Sequence, residues 1–135
     1  MTETPTENLK ILLVDDTPAI LHVVISILDE YDTLIAKNGE QGLEAAKNLK
    51  PDMILLDVMM PGMSGFDVLK ELKADEETKS IHVILVSGKE SNENEAKGYS
   101  LGATDYIQKP FDESIIKHKV KFIMEYITMK RELES

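Results

Sequence analysis

Cysteine is absent from the 135 residues. The chain therefore holds no disulfide, no thiolate metal site and no cysteine nucleophile. Long apolar runs are also missing. No stretch approaches the roughly 18 residues a membrane-spanning helix needs. Met1 to Asn8 is polar and lacks a basic-then-apolar leader, so the expected compartment is the cytoplasm. Basic residues are scarce: 15 Lys and Arg stand against 25 Asp and Glu, a formal net charge of -10. Direct nucleic-acid binding is not expected, because it needs a basic patch. What remains is ordinary for a soluble globular chain, with 42% hydrophobic and 30% charged residues. A chain of this length forms one domain and can bury about two thirds of its unfolded surface.

The hydrophobic pattern alternates between two periods. Leu9–Val14, Met53–Leu56 and Ile81–Val86 are short apolar runs, and Thr33–Ala36 and Asp105–Gln108 are weaker ones. Between them lie stretches with helical spacing, at Pro18–Glu30, Glu40–Leu49, Phe66–Ala74, Asn92–Leu101 and Glu113 onward. Pro51-Asp52, Asn38-Gly39, Pro61-Gly62 and Ser64-Gly65 punctuate the chain, with Ser64 placed to cap the third helix. Strand and helix alternate five times. Three strands are apolar on both faces, which calls for a parallel sheet covered on both sides. Right-handed crossovers give a three-layer α/β sandwich, a doubly wound (βα)5 fold.

Parallel strands bring their C-terminal ends to one edge, where ligands bind. Asp15 and Asp16 follow the first strand, Asp57 the third, Ser87 the fourth and Lys109 the fifth. Any one of these is explained by turns being polar. All five together point to a crevice holding three carboxylates, a hydroxyl and an ammonium. Packed carboxylates repel unless a cation sits among them. A hard cation with oxygen ligands relieves that, and Mg²⁺ suits few carboxylates and several waters.

This set resembles the receiver domain of two-component response regulators, the CheY-like superfamily. The resemblance is carried by LLVDD at Leu12–Asp16, ILLDVMMPGMSGFD at Ile54–Asp67, VS at Val86-Ser87 and GATDYIQKPF at Gly102–Phe111, in that order. It covers Leu9 to Ile127. It implies a five-stranded parallel sheet in the flavodoxin-like order 2-1-3-4-5, with residues 1–8 as a flexible tail, 9–127 as the receiver and 128–135 as an extension of helix 5. It further implies that Asp57 is the phospho-acceptor. Asp16 would bind Mg²⁺ directly and Asp15 mostly through water. The Met59 backbone carbonyl and Asp57 itself would complete the protein ligands. Ser87 would hydrogen-bond the phosphoryl group, Lys109 would pair with it, and Lys109-Pro110 would be cis. The implied function is a switch that takes a phosphoryl group from a histidine kinase or phosphotransfer protein and alters its helix 4–strand 5–helix 5 surface. It would phosphorylate and dephosphorylate itself and not act as a turnover enzyme. The alternative is a receiver fragment of a larger protein with a cyclase, phosphatase, kinase or DNA-binding output domain C-terminal to it.

Other residues have bland and sharp readings side by side. Tyr106 on the last strand is either a switch aromatic that moves with Ser87 or strand filler. Gly88 stands where the family more often has Ala. Met59 and Lys89 either shield an acyl phosphate or face solvent. Helix 4 is polar and interrupted by Gly98, which makes it the expected soft element. His22, His82 and His118 share no ligand spacing and are expected on the surface or in packing. Met53, Met60, Met63, Met124 and Met129 are expected as core or loop packing. A haloacid-dehalogenase-like phosphatase needs a second Asp where this chain has Met59. A flavin binder needs a hydroxyl- or glycine-rich loop where it has Asp-Asp-Thr-Pro.

No Gly or Pro interrupts Glu113–Glu134, about 33 Å of helix at 1.5 Å per residue. A strand of five or six residues spans only about 17–20 Å, so the helix is expected to overhang its sheet. Ile116, Val120, Ile123 and Ile127 form a stripe for the sheet. Phe122, Tyr126, Met129 and Leu133 form a second stripe that runs further toward the C-terminus, with nothing of its own domain to cover it past about Ile127. It implies a homodimer through this helix or a signalling helix into an output domain, against the alternative of a frayed tail.

Overall fold

The computed structural model describes residues 9–88, 92–110 and 112–134. The tail expected over Met1–Asn8, and the residues Lys89 and Phe111, lie outside them. Ten elements alternate: β1 (Lys10–Val14), α1 (Pro18–Ile27), β2 (Asp32–Ala36), α2 (Gly39–Leu49), β3 (Met53–Asp57), α3 (Gly65–Ala74), β4 (His82–Ser87), α4 (Asn92–Ser100), β5 (Asp105–Gln108) and α5 (Glu113–Glu134). The strands form one parallel sheet in the order β2-β1-β3-β4-β5, as the resemblance implied.

Alternation along each strand divides the core in two. Ile11 and Leu13 of β1, Met53 and Leu55 of β3, and Ile84 and Val86 of β4 face Leu21, Val24 and Ile27 of α1 and Ile116, Val120, Ile123, Met124 and Ile127 of α5. Their neighbours Leu12, Val14, Ile54, Leu56, Val83 and Leu85 pack on the opposite side with Ala46 of α2 and Val68, Leu69 and Leu72 of α3. The weak pattern of β2 has a positional cause: it is an edge strand, and Ile35 is exposed.

Local chemistry sets the helix starts. Ser64 caps α3 in a reciprocal box with Asp67, and Asn38 caps α2 through the Gln41 N–H. Pro18 enters α1 in its first turn, where no N–H is missed. α1 stops at Ile27, short of the expected Glu30, because Leu28 leaves helical geometry and buries itself together with Tyr31. Gly39, read as a turn, opens α2. A Cβ there would stand 2.8 Å from Cβ of Met63.

Gly98 likewise departs from expectation. It does not interrupt α4, which is continuous over Asn92–Ser100. It is buried, and a Cβ on it would lie 2.6 Å from Cδ1 of Leu85. Gly98 is the point at which α4 presses against β4. Among the methionines, Met53, Met60 and Met124 are buried as expected, but Met129 is exposed. Its position on the outer side of α5 faces away from the sheet.

Candidate functional site

In the sheet order, the connections that follow β1 and β3 run in opposite directions, from β1 towards β2 on one side and from β3 towards β4 on the other. That reversal opens a crevice at the C-terminal ends of β1 and β3. β1 runs out into Asp15 and Asp16, and β3 ends on Asp57. One carboxylate oxygen from each of the three lies within 4.8 Å of the others. Asp15 and Asp57 are buried, whereas Asp16 is exposed.

Backbone geometry holds each carboxylate. The Thr17 N–H donates to Asp15 Oδ1 at 2.8 Å, and the Met59 N–H to Asp57 Oδ1 at 3.3 Å. Lys109 arrives from the end of β5. Its Nζ stands 3.5 Å from both Asp15 Oδ2 and Asp57 Oδ1. The Lys109 N–H donates to the Ser87 carbonyl at 2.7 Å, and the Lys109-Pro110 bond is cis. Ser87 is fully buried at the end of β4, one position beyond Val86, the ladder partner of Asp57. Met59 is exposed at the rim.

The electrostatics follow from this crowding. Burial pushes the Asp57 carboxyl from 3.8 up to about 6, and the Asp15 charge pushes the same way. Lys109 and the Met59 N–H work against the rise. Three carboxylates face one ammonium, with an open flank at Asp16. A hard divalent cation with water among its ligands fits such a donor set.

All the strand-end residues singled out in the sequence converge here. Tyr106 sits one layer below, buried on β5 beside Leu85. Its Oη has no hydrogen-bond partner among the described residues. Lys89 lies outside the described residues. His22 and His118 are exposed, and His82 is half-buried at the opposite end of β4, against Thr104 and Tyr126.

Two contributors escaped the sequence reading. Thr17 matters through its backbone, which no side-chain pattern reveals. In the sequence Gly65 reads as a loop marker. A Cβ on it would lie 2.3 Å from the Asp57 carbonyl oxygen, and its N–H donates to the Val58 carbonyl at 3.0 Å. Only glycine lets α3 start this close to the strand that carries Asp57.

Comparisons with known proteins agree with this geometry. The response regulator receiver domain family matches residues 11–121. The protein PilH of Pseudomonas aeruginosa is 35% identical over 117 residues, covering 85% of this chain and 97% of PilH. The phosphate regulon transcriptional regulatory protein PhoB of the same species is 37% identical over 116 residues, covering 84% of this chain. This chain spans 51% of PhoB, and about half the length of several other curated relatives. A probable cyclic di-GMP phosphodiesterase of Vibrio cholerae is 37% identical over 82% of this chain, which spans 25% of it. The crystal structure of a CheY-like receiver domain protein from Methanospirillum hungatei superposes with a TM-score of 0.83 at 29% identity, covering 92% of this chain and 98% of that one. With the acidic crevice, the lysine opposite it and the doubly wound sheet beneath, the chain belongs to the response regulator receiver domain family of two-component signalling.

Proposed function

We propose that the protein is a phosphorylation-dependent switch whose Asp57 accepts a phosphoryl group from a phosphohistidine, on a histidine kinase or a phosphotransfer protein. The observation that carries this reading is the buried Asp57 carboxylate at the end of β3, flanked by Lys109 and by the Asp15–Asp16 pair. A carboxylate is an established nucleophile for acyl-phosphate formation. An Asp57 oxygen forms the O–P bond as the P–N bond to the donor imidazole breaks. The electron pair leaves on that nitrogen, which takes a proton from solvent. Attack needs an ionised carboxylate, and a group titrating near 6 is mostly ionised at neutral pH.

Asp15, Asp16 and Asp57, with the Met59 main-chain carbonyl, are the residues that would hold Mg²⁺. When bound, that ion supplies positive charge against the incoming phosphoryl oxygens. Lys109 supplies a second positive charge from the opposite side, and the Ser87 hydroxyl a neutral donor. Attack of water on phosphorus would break the O–P bond, return the Asp57 carboxylate and release phosphate. Met59, exposed at the rim two residues past Asp57, would hinder that water only by folding back over the carboxylate.

The switching part of the reading rests on Tyr106. A buried hydroxyl without a partner costs about 1–3 kcal/mol. A rotamer that hydrates Oη is therefore close in free energy, and a small change at Ser87 can tip it. The surface expected to respond is α4–β5–α5. Cytoplasmic kinase domains would be the donors. No helix among the described residues is long and apolar enough to cross a membrane. Relatives of both PilH-like and greater length match this chain. The length of the gene product separates a self-contained switch from a receiver that drives a C-terminal output domain.

Incubation with acetyl phosphate or phosphoramidate and Mg²⁺ is expected to add one phosphoryl mass increment, lost with EDTA. An Asp57→Asn chain that gains the same increment would refute the assignment.

A further inference from the structure

The long helix α5 carries a feature the phosphorylation chemistry does not use. Its inner stripe is consumed by the core: Ile116, Val120, Ile123, Met124 and Ile127 are buried. Its outer stripe is open: Phe122 is 74% exposed, Tyr126 48%, Met129 56% and Leu133 81%. The steps of four, three and four between them are the a/d spacing of a coiled-coil seam. We infer that this stripe is the contact face for a second copy of the chain, with the two α5 helices parallel and in register.

Three observations favour that occupant. The first is that the stripe is held ready. Arg131, beyond the last buried residue, pairs with Asp52 at the start of β3, and Asp52 Oδ2 also accepts the Lys10 N–H at 2.7 Å. The Tyr126 ring meets His82 edge-on at 5.7 Å between centroids. The last turns are therefore fastened to the sheet, and the stripe presents a preformed surface that costs little entropy to dock. A frayed tail would show neither tie.

The second observation is charge. Glu125 precedes Tyr126 and Lys130 follows Met129, one on each flank of the stripe, and both are exposed. With Phe122 and Met129 at d and Tyr126 and Leu133 at a, Glu125 is a g position and Lys130 the following e position. In a parallel, in-register pair each Glu125 faces Lys130 of the partner subunit, twice over by symmetry. In an antiparallel pair g faces g and e faces e, which sets Glu against Glu and Lys against Lys. The face is complementary to itself in one orientation.

The third observation is where the seam begins. Lys119 occupies the a position before Phe122. Its ammonium is drawn to Asp105 on β5, at 2.9 and 3.0 Å from the two carboxylate oxygens. Lys119 thus separates exposed Ile115, one heptad earlier, from the continuous stripe Phe122–Leu133. Four side chains a copy place the contact below about 1,200 Å² in total, the class of weak associations. Dimerisation is expected to depend on concentration.

The absence of cysteine makes the test clean. Phe122→Cys and Leu133→Cys are expected each to form a disulfide-linked homodimer under mild oxidation, while Glu44→Cys on α2 remains monomeric. Parallel register puts 122 opposite 122 and 133 opposite 133 at both ends of the seam. An antiparallel pair would crosslink only when the two variants are mixed, which would overturn the orientation. In sedimentation equilibrium at low salt, the parent's average mass is expected to rise with concentration. Glu125→Lys and Lys130→Glu are each expected to weaken the dimer about five- to tenfold, as an attractive exposed pair becomes repulsive at two places. The double variant is expected to restore the parent's value. A parent that stays monomeric to about millimolar concentration, the range in which weak contacts still register, would overturn the second copy as occupant. The test uses no phosphoryl donor, so its failure leaves the reading of Asp57 untouched.

Discussion

Replacing Asp57 with asparagine is expected to make the protein more stable at neutral pH. Burial and the Asp15 charge raise its carboxyl from 3.8 to about 6. A rise of about two units corresponds to about 3 kcal/mol, at about 1.4 kcal/mol per unit. The direction follows from linkage. The folded-state value lies above the unfolded one, so the folded chain favours the protonated acid. The penalty is absent below about pH 4, grows between about pH 4 and 6, and is complete above that. Asparagine keeps the size and planarity of the neutral acid without the charge. Two losses reduce the gain: Lys109 keeps Asp15 at 3.5 Å but loses Asp57, and the new amide N–H group must find an acceptor. Each costs about 1 kcal/mol, so a net gain of about 1 kcal/mol is expected near pH 7.5.

Urea unfolding in EDTA buffer, repeated from about pH 4.5 to 7.5, measures this as a gap between midpoints with unchanged slopes. In thermal melts the same gap is worth about 3–4 °C per kcal/mol for a domain of this size. The gap should close towards acid. Mg²⁺ should narrow it from the other side, because it stabilises the parent by about 1.4 kcal/mol for each tenfold excess over its Kd. An Asp57→Asn chain less stable than the parent at pH 7.5, or a gap independent of pH, would refute the claim that this carboxylate is held ionised at a cost.

Asp16→Ala is expected to weaken Mg²⁺ binding at least tenfold in a calorimetric titration, while leaving metal-free stability unchanged or slightly raised, since an exposed like charge is removed. Lys109→Met is expected to leave a single cooperative unfolding transition and to push the Asp57 carboxyl higher still, read by NMR titration, because Lys109 is the leading influence that lowers it. Gly98→Ala is expected to cost about 1–3 kcal/mol by overpacking against Leu85, measured by denaturation. Gly65→Ala is expected to cost more, since its new Cβ meets the Asp57 main-chain oxygen and a backbone atom cannot rotate away.

The sheet and its site were legible in the sequence because both rest on patterns within single segments. Runs such as Met53–Leu56 are apolar on both faces, which only a doubly covered parallel strand requires. Once the strands are parallel, the residue after each lands on one edge, and Asp15, Asp57, Ser87 and Lys109 come together without further information. The contacts that went unread join segments distant in sequence. Gly98 reads as a weak point on its own helix, and only the 2.6 Å separation from Leu85 turns it into a packing requirement. Gly65 reads as a loop until the carbonyl of Asp57 is seen beside it. The Arg131–Asp52 tie spans most of the chain, and neither residue stands in a pattern that announces the other. The outer stripe of α5 was legible for the opposite reason. Its spacing is local, and the structure leaves it uncovered.

The same contacts join the strand end at Ser87 to α4 through Leu85. Ser87, at the crevice, is two residues from Leu85 on β4, so the two side chains share a face of the sheet. Leu85 is the ladder partner of Tyr106 and the nearest neighbour of Gly98, whose added Cβ would also stand 3.8 Å from the Tyr106 ring. Leu85, Tyr106 and the α4 backbone at Gly98 therefore occupy one close-packed volume. A buried group there cannot move without another giving way, because interiors at this density hold few voids. Tyr106 is the member with slack, since its hydroxyl is unpaired and loses no bond on leaving. Under the proposed function, a pull on Ser87 would be resolved most cheaply by moving the Tyr106 ring and resetting α4 against β4. In that switch the tightness of Gly98 would make the helix report on the strand, and a larger residue there would hold the two apart.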